Sequence, residues 1–133
     1  VKEMGIEDNF HLIGRHPLEL MPEYYSLASA MLITLKKEPT FSLTIPAKLQ
    51  SYLACGRPII ASLNGIGAKI IKDASCGLVS DSEDAEALAK SIYEFNKLSS
   101  EDRSILGSNA RKYYEKEFKR KELLNRLIDI FEK

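Results

Sequence analysis

The chain has 133 residues, 44% of them hydrophobic and 29% charged, and its 19 Lys+Arg are balanced by 19 Asp+Glu. That is one domain's worth of chain, able to bury a core without staples, and its even charge supplies no overall field that would draw it to nucleic acid or an anionic membrane. No apolar run is long enough to span a bilayer, and two unpaired cysteines, Cys55 and Cys76, point to a reducing, cytoplasmic setting.

The run "NFHLI" at 9–13 predicts a strand ended by Gly14, and Pro22 with Glu23 behind it predicts a helix over 22–29. The apolar run "AMLITL" at 30–35 has the length of a strand buried on both faces of a parallel sheet. Residues 36–43, "KKEPTFSL", read as the loop after it. In "TIPAKLQSYLACGRPII" (44–60), Thr44 stands where a cap is wanted and Pro46 in the first turn of a helix. Gly56 and Pro58 stop that helix.

A strand over 58–62, a turn at Asn64-Gly65, a helix over 68–74 and a strand over 77–80 follow. The carboxylates of "DSEDAE" then open a helix with apolar residues at Ala85, Leu88, Ala89, Ile92 and Phe95. From 99 onward the pattern is helical, with Ser100 as expected cap and a last stripe of Leu123, Leu124, Leu127, Ile128 and Phe131, expected to pack on the sheet or on a partner domain. Four strands alternating with helices predict an α/β, Rossmann-like parallel sheet flanked by helices, with further helices at the C-terminus. A full doubly wound nucleotide-binding domain has six strands, so residues 1–133 read as a single partial domain. The opening on Val1 rather than Met points the same way.

The chemistry concentrates at the helix that opens near Pro46. A helix start presents unpaired N–H groups and about half a positive charge. Lys48 adds a full charge, and Leu49 and Leu53 turn coreward, leaving Lys48 and Ser51 on another face. Two readings stay open: a capped helix with a solvated lysine, or a diphosphate held by the amides of Thr44, Ile45 and Ala47 and by Lys48, with Ser51 reaching an adjoining sugar hydroxyl.

The turn of Gly14, Arg15 and His16 can meet a base or a phosphate, or be a basic surface turn, and Glu38 can accept a sugar hydroxyl or simply be solvated. The acids of 81–84 are better explained as helix capping than as metal ligands. No spaced His/Cys set, no Asp-x-Asp pair and no Gly-x-Ser-x-Gly occurs, so neither metal nor cofactor is expected.

The runs "FHLIGRHPLELMPEYYSLASAMLITL", "EPTFSLTIPAKLQSYLACGRPIIAS" and "NGIGAKIIKDASCGLVSDSEDAEALAKSI" together resemble the C-terminal, donor-binding domain of a family 4 glycosyltransferase of the GT-B fold. The resemblance is nearest to the bacterial branch that builds surface polysaccharides. It implies a nucleotide-sugar donor, UDP-linked, and retaining, metal-independent transfer of a hexose-type sugar. It also implies an N-terminal acceptor domain outside this chain, through which any contact with the inner face of the membrane would be made, and a chain that does not turn over alone. By the same resemblance Gly14, Arg15 and His16 touch the base, and the amides from Thr44 to Lys48 hold the diphosphate. The chain departs from the family pattern at Ser51 and Leu43, where acidic residues are usual, and at Ile66 and Gly67. The alternative is a non-catalytic α/β module that binds a nucleotide or uses helix 119–132 as a protein contact.

Overall fold

The structure, a computed structural model, describes residues 2–132. Three short strands, β1 (Met31–Thr34), β2 (Ile59–Ser62) and β3 (Gly77–Ser80), form one parallel sheet in the order β1-β2-β3. Met31 pairs with Ile59, and Ile59 with Gly77. Strands that run parallel cannot be joined by a hairpin, so each connection crosses back through helix. Helix α1 (Met21–Leu27) leads into β1; α2 (Pro39–Leu43) and α3 (Ala47–Ala54) join β1 to β2; α4 (Ile66–Asp73) joins β2 to β3. The chain then continues as α5 (Ala85–Lys97), α6 (Ser100–Glu117) and α7 (Arg120–Phe131).

The core lies on one face of the sheet. Met31, Ile33, Ile59 and Ala61 meet Leu49, Tyr52 and Leu53 of α3, Ile70 and Ile71 of α4, and Ala110 of α6. The burial of Leu49, Leu53 and Ile71 is complete, as the four-residue spacing on α3 predicts. Helix α5 packs on β2 and β3, with Phe95 buried. β2 is buried along its whole length, the pattern of a central strand in a parallel sheet.

Several sequence expectations need correction. Residues 9–13 are not a strand: Glu7–Asn9 is a turn of 3-10 helix, and although Phe10 is extended, the segment pairs with no neighbour. A strand exists only through its ladder, so periodicity there had nothing to act on, and the sheet has three strands among the described residues instead of four. β1 is buried on one face only, Met31 and Ile33 inward and Leu32 and Thr34 exposed, because α5 covers its two neighbours and not β1.

The segment 36–43 is a loop only at its start, since Pro39 opens the five-residue α2. The cap of α6 is Ser99, one residue earlier than expected; its Oγ accepts from the Asp102 N–H at 3.0 Å and donates to the Asp102 carboxylate at 2.7 Å. Helix α7 has no buried residue, so its apolar stripe does not pack on the sheet. No helix among the described residues is long and apolar enough to cross a membrane.

Cys76 is fully buried at the end of α4, and burial pushes its thiol up to about 11. The native state therefore keeps a proton that the unfolded chain releases near 9. Stability should fall as pH rises from about 9 to about 11, and Cys76→Ala should flatten that fall, as chemical denaturation across this range would read out. Alkylation at neutral pH should modify Cys55, which is half-buried, and spare Cys76 until the chain unfolds.

Candidate functional site

The carboxyl ends of the three strands lie along one edge of the sheet, and the helices that follow begin there. The starts differ in how their N–H groups are satisfied. Asp84 caps α5, its Oδ1 accepting from the Ala87 N–H at 2.8 Å. The preceding loop is held by Asn64, which donates to the Asp81 carboxylate at 2.8 Å and accepts from the Ser82 N–H at 2.9 Å. Asp84 is thus a helix cap, as expected, while Asp81 serves to hold the loop rather than to cap.

Helix α3 has no such cap. Its N-cap residue is Pro46, no side chain bonds its first turn, and its first backbone bond runs from the Leu49 N–H to the Pro46 carbonyl. The N–H groups of Ala47 and Lys48 precede that bond and have no acceptor in the helix. The expected cap, Thr44, is engaged elsewhere: it is the C-cap of α2, and its hydroxyl donates to the Thr40 carbonyl at 3.0 Å. The start of α4 also has no side-chain cap.

The uncapped starts of α3 and α4 lie side by side. A Cβ on Gly67 would fall 3.2 Å from Pro46 Cδ, so the absence of a side chain at Gly67 lets α4 approach the mouth of α3. Gly65, at φ +76 and ψ −143, takes a backbone conformation open essentially to glycine alone, and a Cβ there would lie 2.0 Å from the Ser42 carbonyl oxygen. Gly65 thus fixes α2 against the beginning of α4.

A cavity of about 300 Å³ opens at this mouth, lined by residues 32–35 of β1 and its exit and by Pro46, Ala47 and Lys48. A second cavity of about 310 Å³ shares Thr34 and Leu35 and runs on past Ser62 to Asp84 at the start of α5. A groove therefore follows the carboxyl edge of the sheet from the open helix to the capped one. Lys48 and Ser51 are exposed, one turn apart on α3, while Leu49, Tyr52 and Leu53 are buried. This arrangement can hold an anion against main-chain donors and an ammonium group.

The other sequence-derived residues are placed differently. Ile45 is exposed between α2 and α3. Glu38 is exposed at the N-cap of α2, where its carbonyl accepts from the Ser42 N–H at 3.2 Å. Gly14, at φ +77, and Arg15 are exposed. His16 is engaged locally, its Nε2 bonded to the Ile13 carbonyl at 2.8 Å and its Nδ1 to the Tyr24 hydroxyl at 2.9 Å. The turn 14–16 does not line the cavity at α3. Sequence reasoning missed Leu32–Leu35 as lining residues, because their signal is that of an ordinary buried strand.

The sequence model of the family described as glycosyl transferases group 1 matches residues 1–113. The chain belongs to this family. The match covers the sheet, the groove and most of α6, and the parallel sheet flanked by helices is a Rossmann-like architecture consistent with it. No curated protein matches the chain. For this group 1 glycosyltransferase domain, Gly65→Ala should cost at least about 2 kcal/mol in urea denaturation, from the forbidden backbone conformation and the collision with Ser42.

Proposed function

We propose that the chain is the donor-binding part of a family 4 glycosyltransferase, and that the cleft at the start of α3 holds the diphosphate of a nucleotide sugar. One observation carries this reading: the first turn of α3 has no side-chain cap, bears Lys48, and opens onto a cavity at the carboxyl edge of a parallel sheet. In this reading the amides of Ala47 and Lys48, with those of Thr44 and Ile45 ahead of them, face the phosphates. Lys48 adds a mobile positive charge, and Ser51 lies one turn further on for a sugar hydroxyl.

When the glycosidic bond breaks, negative charge collects on the leaving diphosphate. Fixed N–H dipoles and an ammonium group stabilise that charge without reorganising, which suits metal-independent transfer. A UDP-linked donor, retention of configuration, a role in bacterial polysaccharide assembly and a separate acceptor domain all belong to this proposal. The exposed Arg15 is the outward group of the turn that would meet the base, and Glu38 that of the loop that would meet the sugar. The exposed apolar stripe of α7 favours a second reading, a non-catalytic module that uses this helix as a protein contact.

UDP titrated into the chain should shift the amide resonances of residues 44–51 saturably. Lys48→Gln should weaken the interaction by about tenfold, the worth of one charge-assisted hydrogen bond. A saturable response elsewhere, with 44–51 unmoved, would sink the assignment of the site, and no response to any nucleoside diphosphate would favour the second reading.

A further inference from the structure

The opposite edge of the sheet carries a cavity of about 560 Å³, and the donor reading makes no use of it. It is bounded by the turn Gly56-Arg57-Pro58 ahead of β2, by Ser29 ahead of β1, and by one flank of α6. On that flank Ser100, Ser104 and Ser108 form one row at four-residue spacing, and Arg103, Gly107 and Arg111 form a second row beside it. The sequence brings three guanidiniums here from positions 57, 103 and 111, and no carboxylate lines the cavity.

Each guanidinium spends part of its donor set on a helix end. Arg57 Nη2 donates to the Ser26 carbonyl in α1, Arg103 Nη2 to the Asn96 carbonyl in α5 at 2.7 Å, and Arg111 Nη1 to the Ala54 carbonyl in α3 at 2.6 Å. These bonds hold the side chains in place and offset the partial negative charge of three helix C-termini. They do not exhaust the donors, since a guanidinium has five N–H groups. The Nε atoms of Arg57 and Arg103 are buried and have no hydrogen-bond partner. Among the described residues Arg111 pairs with Glu115 at 2.8 Å, but no carboxylate lies within ion-pair distance of Arg57 or Arg103. Two buried Nε donors without an acceptor are costly, and the two arginines that carry them line the cavity with no carboxylate paired to either, although the Arg103 guanidinium also lies over the Phe95 ring at 4.9 Å.

We propose that this cavity is a second anion site, separate from the donor cleft, which takes a phosphorylated small molecule. Arg57 and Arg103 would supply the charge, and the exposed hydroxyls of Ser100, Ser104 and Ser108 the neutral donors around it. Guanidinium forks match phosphate oxygens, and the volume exceeds what a single inorganic phosphate fills, so the ligand class is an organic phosphate or a diphosphate.

Pyrophosphate is the probe, titrated into the whole chain at constant ionic strength against a chloride control. Saturable shifts of the Gly56, Arg57 and Gly107 amides at millimolar pyrophosphate are expected, persisting in Lys48→Gln, which separates this site from the donor cleft. Arg103→Gln should weaken the response by about tenfold or more. Ser104→Asp, which places a carboxylate in the cavity, should raise Tm and abolish the response. Amides at 56, 57 and 107 that stay unmoved, a response unchanged in Arg103→Gln, or a Ser104→Asp chain that is no more stable and still responds would each overturn the proposal.

Discussion

Parallel pairing of β2 with both of its neighbours is the constraint from which the rest of the molecule follows. With no hairpin available, the chain crosses back through helices, and every crossing starts at the carboxyl edge and finishes at the amino edge. The two edges therefore acquire opposite electrostatics, N–H groups crowding one and carbonyl oxygens the other. A buried β2 makes the arrangement obligatory, because its ladder bonds on both sides have no water to replace them.

The protein treats its two edges differently. At the amino edge the carbonyls near the ends of α1, α3 and α5 are each met by an arginine, so the negative ends are answered within the chain. At the carboxyl edge only α5 receives a side-chain cap; α2, α3 and α4 begin without one, and α3 and α4 stand together at Pro46 and Gly67. An uncapped helix start gives up about 1 kcal/mol that a Ser, Thr or Asp would supply. In the same chain Asp84 and Ser99 show that such caps are used elsewhere. Among the described residues α1, α2, α4 and α7 also begin without a side-chain cap, so what sets the start of α3 apart is Lys48 in its first turn and the cavity onto which it opens.

Apolar surface is distributed unevenly. Leu123, Leu124, Leu127 and Ile128 of α7 are exposed, as are Leu32 on the outer face of β1 and Leu12 and Ile13 in the segment before α1. Scattered exposed leucines need no explanation, but a whole helix without a buried residue derives little of its stability from tertiary packing. Helix α7 is tied to α6 chiefly by polar contacts, Arg126 bonding the Glu117 carboxylate at 2.9 Å and the Lys116 carbonyl at 2.8 Å.

Features that depend on near neighbours are readable from the residues alone. The apolar runs at 30–35 and 58–62, the Pro46 to Gly56 helix with Leu49 and Leu53 inward, the acidic start of α5 and the parallel α/β class were all legible from periods of two and of three to four residues. Packing between distant segments set the rest. It left 9–13 without a ladder, turned Thr44 to the end of α2, occupied His16 with Tyr24 and Ile13, and left one face of β1 bare. It also set residues 32–35 against Lys48 and gathered arginines 57, 103 and 111 around one cavity. Periodicity reports which face of an element is apolar, whereas a cleft is made where elements far apart in the chain come to lie side by side. That juxtaposition is set by strand order and crossover, which no local pattern encodes.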